Sequence, residues 1–255
     1  NYTAANISQL NGVAAGLEDT AYYSGPGYFE RFQAALPKSL ARGPRVIKCQ
    51  NSKWEGTWRI SVSSGGGSVS KSSEVKCVSA KDHTVMFCTL SRFLGRYEDI
   101  CEGCPGILDM QYLPKVSKGE YSVVMANRTP VEVYLSTPAE GENFYSTKVS
   151  AGGITARVPF LEAVDVLDWL KFEIEDINEQ LGGGEHLPML WMVSIVPRDE
   201  GYAVTSLSCD CVGFNEHSAS RTIAREAVNI VMSNQHTHKR TIGLVTQQDT
   251  CLLYT

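Results

Sequence analysis

The stretch LWMVSIVPRDEGYAVTSLSCDC, Leu190 to Cys211, carries the strongest local signal in the chain. Trp191 to Val196 is apolar and β-prone, and Tyr202 to Cys211 alternates so that Ala203, Thr205, Leu207, Cys209 and Cys211 fall on one face. Between these arms, Pro197-Arg198-Asp199-Glu200-Gly201 is turn chemistry, so the stretch predicts a β-hairpin. Period-two spacing points Cys209 and Cys211 the same way, so each needs a partner elsewhere.

Outward from the hairpin, β patterning dominates. Val46 to Cys49, Trp54 to Val62, Glu74 to Ser79 and Thr84 to Leu90 predict a small antiparallel sheet, interrupted by the flexible Ser/Gly run Ser63 to Ser70. Further strands are expected at Ile107 to Leu113 and Tyr121 to Ala126, joined by a Lys-Gly turn. Others follow at Val131 to Ser136, Tyr145 to Val149 and Ile154 to Val158. Helical spacing of Phe29, Phe32, Ala35 and Leu36 predicts a helix over Tyr28 to Leu40, and a second helix runs from Ser218 or Ser220 to about Met232. Residues 160–181 fit either a strand, through Leu170, Phe172 and Ile174, or a helix, through Val166, Leu170, Ile174, Ile177 and Leu181.

With 255 residues and 43% hydrophobic content, the chain can bury a real core. A net charge of -5 and no Lys/Arg cluster leave no footprint for a phosphate backbone, so nucleic acid is not expected as a partner. No apolar run reaches the roughly 18 to 20 residues of a spanning helix, and no transmembrane segment is expected. The start at Asn1 fits a removed leader or a proteolytic cut. The eight cysteines, Cys49, Cys77, Cys88, Cys101, Cys104, Cys209, Cys211 and Cys251, suggest disulfides in a secreted or lumenal, oxidising compartment. Zinc on the Cys101/Cys104 pair is the lesser reading, because the other close pair is a CxC suited to a strand. Sequons at Asn1, Asn6 and Asn127 agree with a secreted glycoprotein. Cys49 and Cys77 are expected to staple the first sheet internally.

Three stretches in order resemble the lipocalins, most closely the apolipoprotein D branch. They are Leu94-Gly95-Arg96-Tyr97-Glu98-Asp99-Ile100 before Cys101, Tyr202-Ala-Val-Thr-Ser-Leu-Ser-Cys209-Asp-Cys211, and Val245-Thr-Gln-Gln-Asp-Thr-Cys251. The resemblance covers about 90–255. It implies an eight-stranded up-and-down barrel with a C-terminal helix, preceded by an N-terminal β-rich extension over 1–89. It also implies that Cys251 ties to Cys101 or Cys104 and that Cys209 reaches Cys88. Tyr97 would sit beneath the barrel floor, and Val123, Met125, Val133, Trp191, Val193 and Ile195 would line the interior.

That barrel would bind and carry a small apolar ligand such as a lipid, sterol, carotenoid or tetrapyrrole. Two other classes stand beside it: a pigment- or lipid-modifying lipocalin enzyme similar to violaxanthin de-epoxidase, and a non-catalytic β-sandwich subunit with protein partners in a larger assembly. No nucleophile elbow, phosphate loop or HExxH signature is present, so no catalytic residue and no metal site is assigned. His236 and His238 read as a polar linker, Asp199 as a solvated turn, and Glu173, Glu175, Asp176 and Glu179 as the wet face of their element.

Overall fold

The computed structural model describes residues 19–49, 56–63, 68–141, 143, 145–180, 187–208 and 221–232. Two open antiparallel sheets organise them, each covered on one face by helix.

The first sheet holds β1 (Thr20–Ser24), β2 (Arg45–Cys49), β3 (Thr57–Val62), β4 (Glu74–Ser79), β5 (Val85–Thr89) and β6 (Gly106–Gln111), in the order β1-β6-β2-β3-β4-β5. Alternation sends Ile47, Cys49, Ile60, Cys77 and Ile107 to one face, where α1 (Tyr28–Arg42) and α2 (Leu90–Ile100) bury them. Phe29, Phe32, Leu36 and Leu40 form the inner stripe of α1. On the same face Arg45, 1% exposed, pairs with the fully buried Asp109 at 2.7 Å.

The segment expected to open a barrel is α2. Thr89 caps it, its hydroxyl accepting the Arg92 N–H at 3.3 Å, and Leu90, Phe93, Leu94 and Tyr97 recur at helical spacing into the core. Leu94-Gly95-Arg96-Tyr97 is therefore the inner turn region of a helix, and Tyr97 stacks on Phe93 with ring centroids 5.4 Å apart.

The second sheet holds β7 (Glu120–Ala126), β8 (Thr129–Thr137), β9 (Ile154–Arg157), β10 (Trp191–Pro197) and β11 (Tyr202–Ser208), in the order β11-β10-β7-β8-β9. The ambiguous 160–181 stretch is resolved as α3 (Val164–Gln180), whose Val166, Leu170, Ile174 and Ile177 cover one sheet face. A further helical segment spans 221–232, with Ile223 packed near Val124, Ala126 and Val131.

The eight-stranded barrel expectation is thus corrected. Each sheet ends in its own edge strands, β1 and β5 in one, β11 and β9 in the other, so neither closes on itself. Nor do β6 and β7 form a hairpin; the 3₁₀ turn Pro114–Lys118 carries the chain from one sheet to the other. Tyr145 to Val149 is connecting chain rather than strand. The physical reason is α3: its apolar stripe occupies the space that a barrel would have left for a ligand.

The predicted hairpin forms as β10 and β11, with a bulge. Ser194 opposes Ser206 and Ile195 opposes Val204, leaving Thr205 as the extra residue. The bulge splits the face expected to carry Ala203, Thr205 and Leu207, since Leu207 joins the α3 core while the Thr205 hydroxyl turns to Glu120. Cys209, Cys211, Cys251, His236, His238 and the tail motif lie outside the described residues.

Candidate functional site: the cleft between the sheets

The faces of the two sheets not covered by α1 to α3 are polar and largely half-buried. On the first, strand register places Lys48, Arg59 and Lys76 on the side opposite the helices, with Val46, Thr57 and Val78. On the second, the side opposite α3 carries Glu120, Ser122, Glu132, Tyr134 and Ser194. Connecting chain 145–152 lies along the first of these faces. Tyr145 donates its hydroxyl to the carbonyl oxygen of Val78 at 3.1 Å, and His83 Nε2 lies 2.8 Å from the Ala151 carbonyl oxygen.

Lys48 is half-buried in the middle of β2, between Thr57 and Leu108. Burial lowers its pKa; the Glu120 charge opposes this and the Lys148 charge adds to it. Glu120 begins β7 and is fixed from two directions. Thr147 donates its hydroxyl to Oε2 at 2.6 Å, and the bulged Thr205 donates to Oε1 at 2.6 Å. The Thr205 hydroxyl also lies 3.3 Å from the Ser194 carbonyl oxygen.

Lys148 is held by its backbone: its carbonyl oxygen accepts N–H bonds from Ala151 at 3.0 Å and Gly153 at 2.9 Å. Glycine is required at 153 because a Cβ there would meet the Thr147 carbonyl oxygen at 2.5 Å. One strand, one strand end, one bulge and one tight turn therefore converge Lys48, Glu120, Thr205, Thr147 and Lys148.

Deeper on the second sheet, Glu132 is 1% exposed and accepts the Tyr134 hydroxyl at 2.5 Å, with Arg157 at 3.3 Å. Toward the joint between the sheets, the Arg59 guanidinium sits 4.9 Å from the Tyr112 ring centroid and 5.2 Å from that of Tyr145. A cavity of about 150 Å³ opens there between Gln111 to Lys115 and Pro197 to Asp199. Lys115 ties its two walls together, bonding the Arg198 carbonyl oxygen at 2.6 Å and pairing with exposed Asp199 at 3.0 Å.

Such an arrangement can hold an anion. Lys48 and Lys148 outnumber the Glu120 carboxylate beside them, and this excess positive charge favours phosphate or carboxylate oxygens. The described residues contain no cluster of three or more His, Cys, Asp or Glu able to hold a metal ion, and no described helix is long and apolar enough to cross a membrane.

The residues expected to line a barrel lie elsewhere. Val123, Met125, Val133, Trp191, Val193 and Ile195 do share one face, but they pack beneath α3 in a core where each is at most 2% exposed. Tyr97 is in the other core, its hydroxyl donating to the Gly56 carbonyl oxygen at 2.7 Å. Of the described cysteines, Cys49, Cys77 and Cys101 are buried and Cys88 and Cys104 half-buried. The sulfur neighbours of Cys49 are Cys101 and Cys104, whereas that of Cys77 is Cys88.

Lys48, Glu120, Glu132, Thr147, Lys148 and Thr205 escaped the sequence reading. Two of them left a trace. Lys48 interrupts the apolar run Val46-Ile47-Lys48-Cys49, and Glu132 stands between the buried Val131 and Val133.

No protein-family model and no curated protein matches the chain. Similar solved structures include D-alanine–D-alanine ligase from Bacillus anthracis, with TM-score 0.47 and 14% identity over 92% of this chain and 68% of that one. The same ligase complexed with ATP gives TM-score 0.46 and 12% identity over 93% and 68%. The ATP-grasp ligase PsnB, complexed with a phosphomimetic variant of its minimal precursor, Mg and ADP, gives 0.43 and 13% over 88% and 58%. These similar structures are ligases, not lipocalins. The open sheets and the packed α3 core overturn the lipocalin resemblance and the carriage of an apolar ligand drawn from it.

Proposed function

We propose that the cleft between the two sheets binds a phosphate-bearing small molecule, with Lys48 and Lys148 on its phosphoryl oxygens. The observation that carries this reading is Lys48 itself. Its ammonium sits where burial and a second lysine both disfavour the charge, and Glu120, the carboxylate that opposes them, already accepts two hydroxyl hydrogen bonds. A cation held against its own desolvation in a cleft marks a place where an incoming anion gains the most. Tyr112, which lines the cavity at the joint, offers a ring against which a base could rest.

Nucleotides are the ligands to try first, since two of the similar structures are described as complexes with ATP or with Mg and ADP. Calorimetric titration of the full chain with ATP and ADP, each with and without Mg, and with tripolyphosphate tests the reading. The expected result is saturable binding of tripolyphosphate and at least one nucleotide, weakened in both Lys48→Met and Lys148→Met. No binding of any of these ligands, or unchanged affinity in both variants, would overturn it. Release of ADP or phosphate from ATP in the presence of an amino-acid mixture would extend the reading from binding to ligation.

A further inference from the structure

Away from the cleft, the helix-covered side of the first sheet brings three thiols together. Cys49 closes β2 opposite Ile107 of β6, and the chain enters β6 through Cys101-Glu102-Gly103-Cys104. Strand register alone therefore carries Cys49 to this turn. Cys101 caps α2, and its carbonyl oxygen accepts the Cys104 N–H at 2.9 Å across Gly103, whose φ of 75° lies in the left-handed region. The Cys49 thiol is within hydrogen-bonding reach of both the Cys101 and the Cys104 thiols. Cys49 and Cys101 are buried and Cys104 is half-buried. Beside them a surface cavity of about 450 Å³ is lined by Tyr28, Phe29, Glu98, Asp99, Cys101 and Glu102. The Tyr28 hydroxyl holds its wall, donating to the Cys101 carbonyl oxygen at 3.0 Å.

The geometry points to a thiol–disulfide exchange site in which Cys49 is the shared partner, able to bond Cys104 or Cys101, and which takes small organic disulfides at Cys104, the one of the three that reaches the surface. Two thiols at one turn with a third between them provide the attacking, resolving and isomerising sulfurs that exchange chemistry uses. Cys104, the most exposed of the three, attacks one sulfur of the incoming disulfide. That S–S bond breaks, a Cys104 mixed disulfide forms, and one small thiol leaves with the Cys104 proton. Cys49 then attacks the Cys104 sulfur, forming Cys49–Cys104 and expelling the second small thiol with the Cys49 proton. The balance is two cysteines oxidised and one disulfide reduced to two thiols. Attack of Cys101 on the Cys49 sulfur moves the bond to Cys49–Cys101 and frees Cys104, with no net oxidation.

Exchange at this site is slow at neutral pH. Burial, with the neighbouring Cys49 thiol, pushes Cys104 up to about 12, so little of it is thiolate at pH 7. The groups facing the thiols are the phenols of Tyr28 and Tyr97 and the acidic cavity rim of Glu98, Asp99 and Glu102.

The test treats the reduced full chain with oxidised glutathione at pH 8.5, then alkylates it and maps it without reduction. Trypsin cleaves after Lys48 and Lys53 and after Arg96 and Lys115, placing Cys49 in peptide 49–53 and both other thiols in 97–115. Cleavage after Glu102 separates Cys101 from Cys104. The expected result is a bond between 49–53 and 97–115 that moves wholly to Cys101 in Cys104→Ala and disappears in Cys49→Ala. Alkylated Cys49 beside a Cys101–Cys104 bridge within 97–115, or alkylation of all three, would overturn the proposal. The wild-type map alone separates these outcomes if a variant fails to fold.

Discussion

Replacing Lys48 by methionine exchanges an ammonium for an apolar chain of similar length. In the folded protein burial disfavours the charged form and Lys148 adds to the effect, whereas in the unfolded chain lysine ionises near 10.4. Between the lowered folded value and that figure the unfolded chain holds more protons, so stability rises with pH across this window. At pH 7 charged Lys48 is therefore a cost to the ligand-free fold. Lys48→Met relieves it while Glu120 keeps its two hydroxyl donors at 2.6 Å. The gain expected from removing such a strained site group is about 0.5–2 kcal/mol, at about 2–4 °C of Tm per kcal/mol for a chain of this size. The same change deletes a cation from the proposed site, which typically costs about 2–5 kcal/mol of binding, or roughly 30- to 5,000-fold in Kd. Thermal unfolding of both proteins with and without tripolyphosphate reads the two effects at once. The expected result is a variant of higher Tm that no longer responds to ligand. A variant less stable than wild type yet shifted equally by tripolyphosphate would show that Lys48 is a structural partner of Glu120 and not a ligand group.

Gly153→Ala sets a Cβ 2.5 Å from the Thr147 carbonyl oxygen and 2.8 Å from that of Lys148; denaturant titration should show a loss of about 1–3 kcal/mol, with weaker tripolyphosphate binding, and an unchanged variant would mean that this turn does not hold Lys148. Val193→Trp overfills the α3 core, where Val193 is fully buried; it should cost about 1–3 kcal/mol and leave anion affinity intact, since the cleft lies on the other face of the sheet, and lost affinity with unchanged stability would contradict that placement. Burial raises Tyr97, and burial with nearby cysteines raises Tyr28 to about 12. The unfolded phenols lose their protons near 10, so this contribution is intact below pH 10 and is lost as pH climbs through the folded values. Unfolding curves at pH 9, 10 and 11 should show falling stability, less steep in Tyr28→Phe; a flat profile would contradict the burial.

Much of the β content was legible because alternation is a local property. Glu74 to Ser79 is legible to the residue and β2, β7 and β10 to within one, whereas β3 starts three residues later than the pattern from Trp54 suggests. The same holds for the apolar set Val123, Met125, Val133, Trp191, Val193 and Ile195, which shares a face as expected. What covers that face was not local: a barrel interior and a helix-packed sheet ask for the same alternation, and only the assignment of 164–180 as helix separates them. The barrel reading rested on Leu94-Gly-Arg-Tyr97 as a motif, although Leu90, Phe93, Leu94 and Tyr97 already carried a helical period behind the cap Thr89. Thr205 was assigned to the wrong side because a bulge shifts register by one residue and no residue type in 202–208 announces it. Lys48 was passed over for a different reason. A lone lysine in a strand reads as solvent-facing, and only the second sheet, more than seventy residues further along the chain, turns its face into a cleft. Likewise the pairing of β2 with β6 brings Cys49 to Cys101 and Cys104, a juxtaposition no local pattern announces.

The most direct measurement is a pH titration of the full chain labelled with ¹³C in its lysine side chains, with the Lys48 signal assigned by its loss in Lys48→Met. Without ligand, Lys48 should titrate below the ordinary lysine value of 10.5, and saturating tripolyphosphate should move that titration upward while shifting the Lys148 signal as well. A Lys48 signal that titrates at the ordinary value and does not respond to tripolyphosphate would contradict the anion-binding cleft.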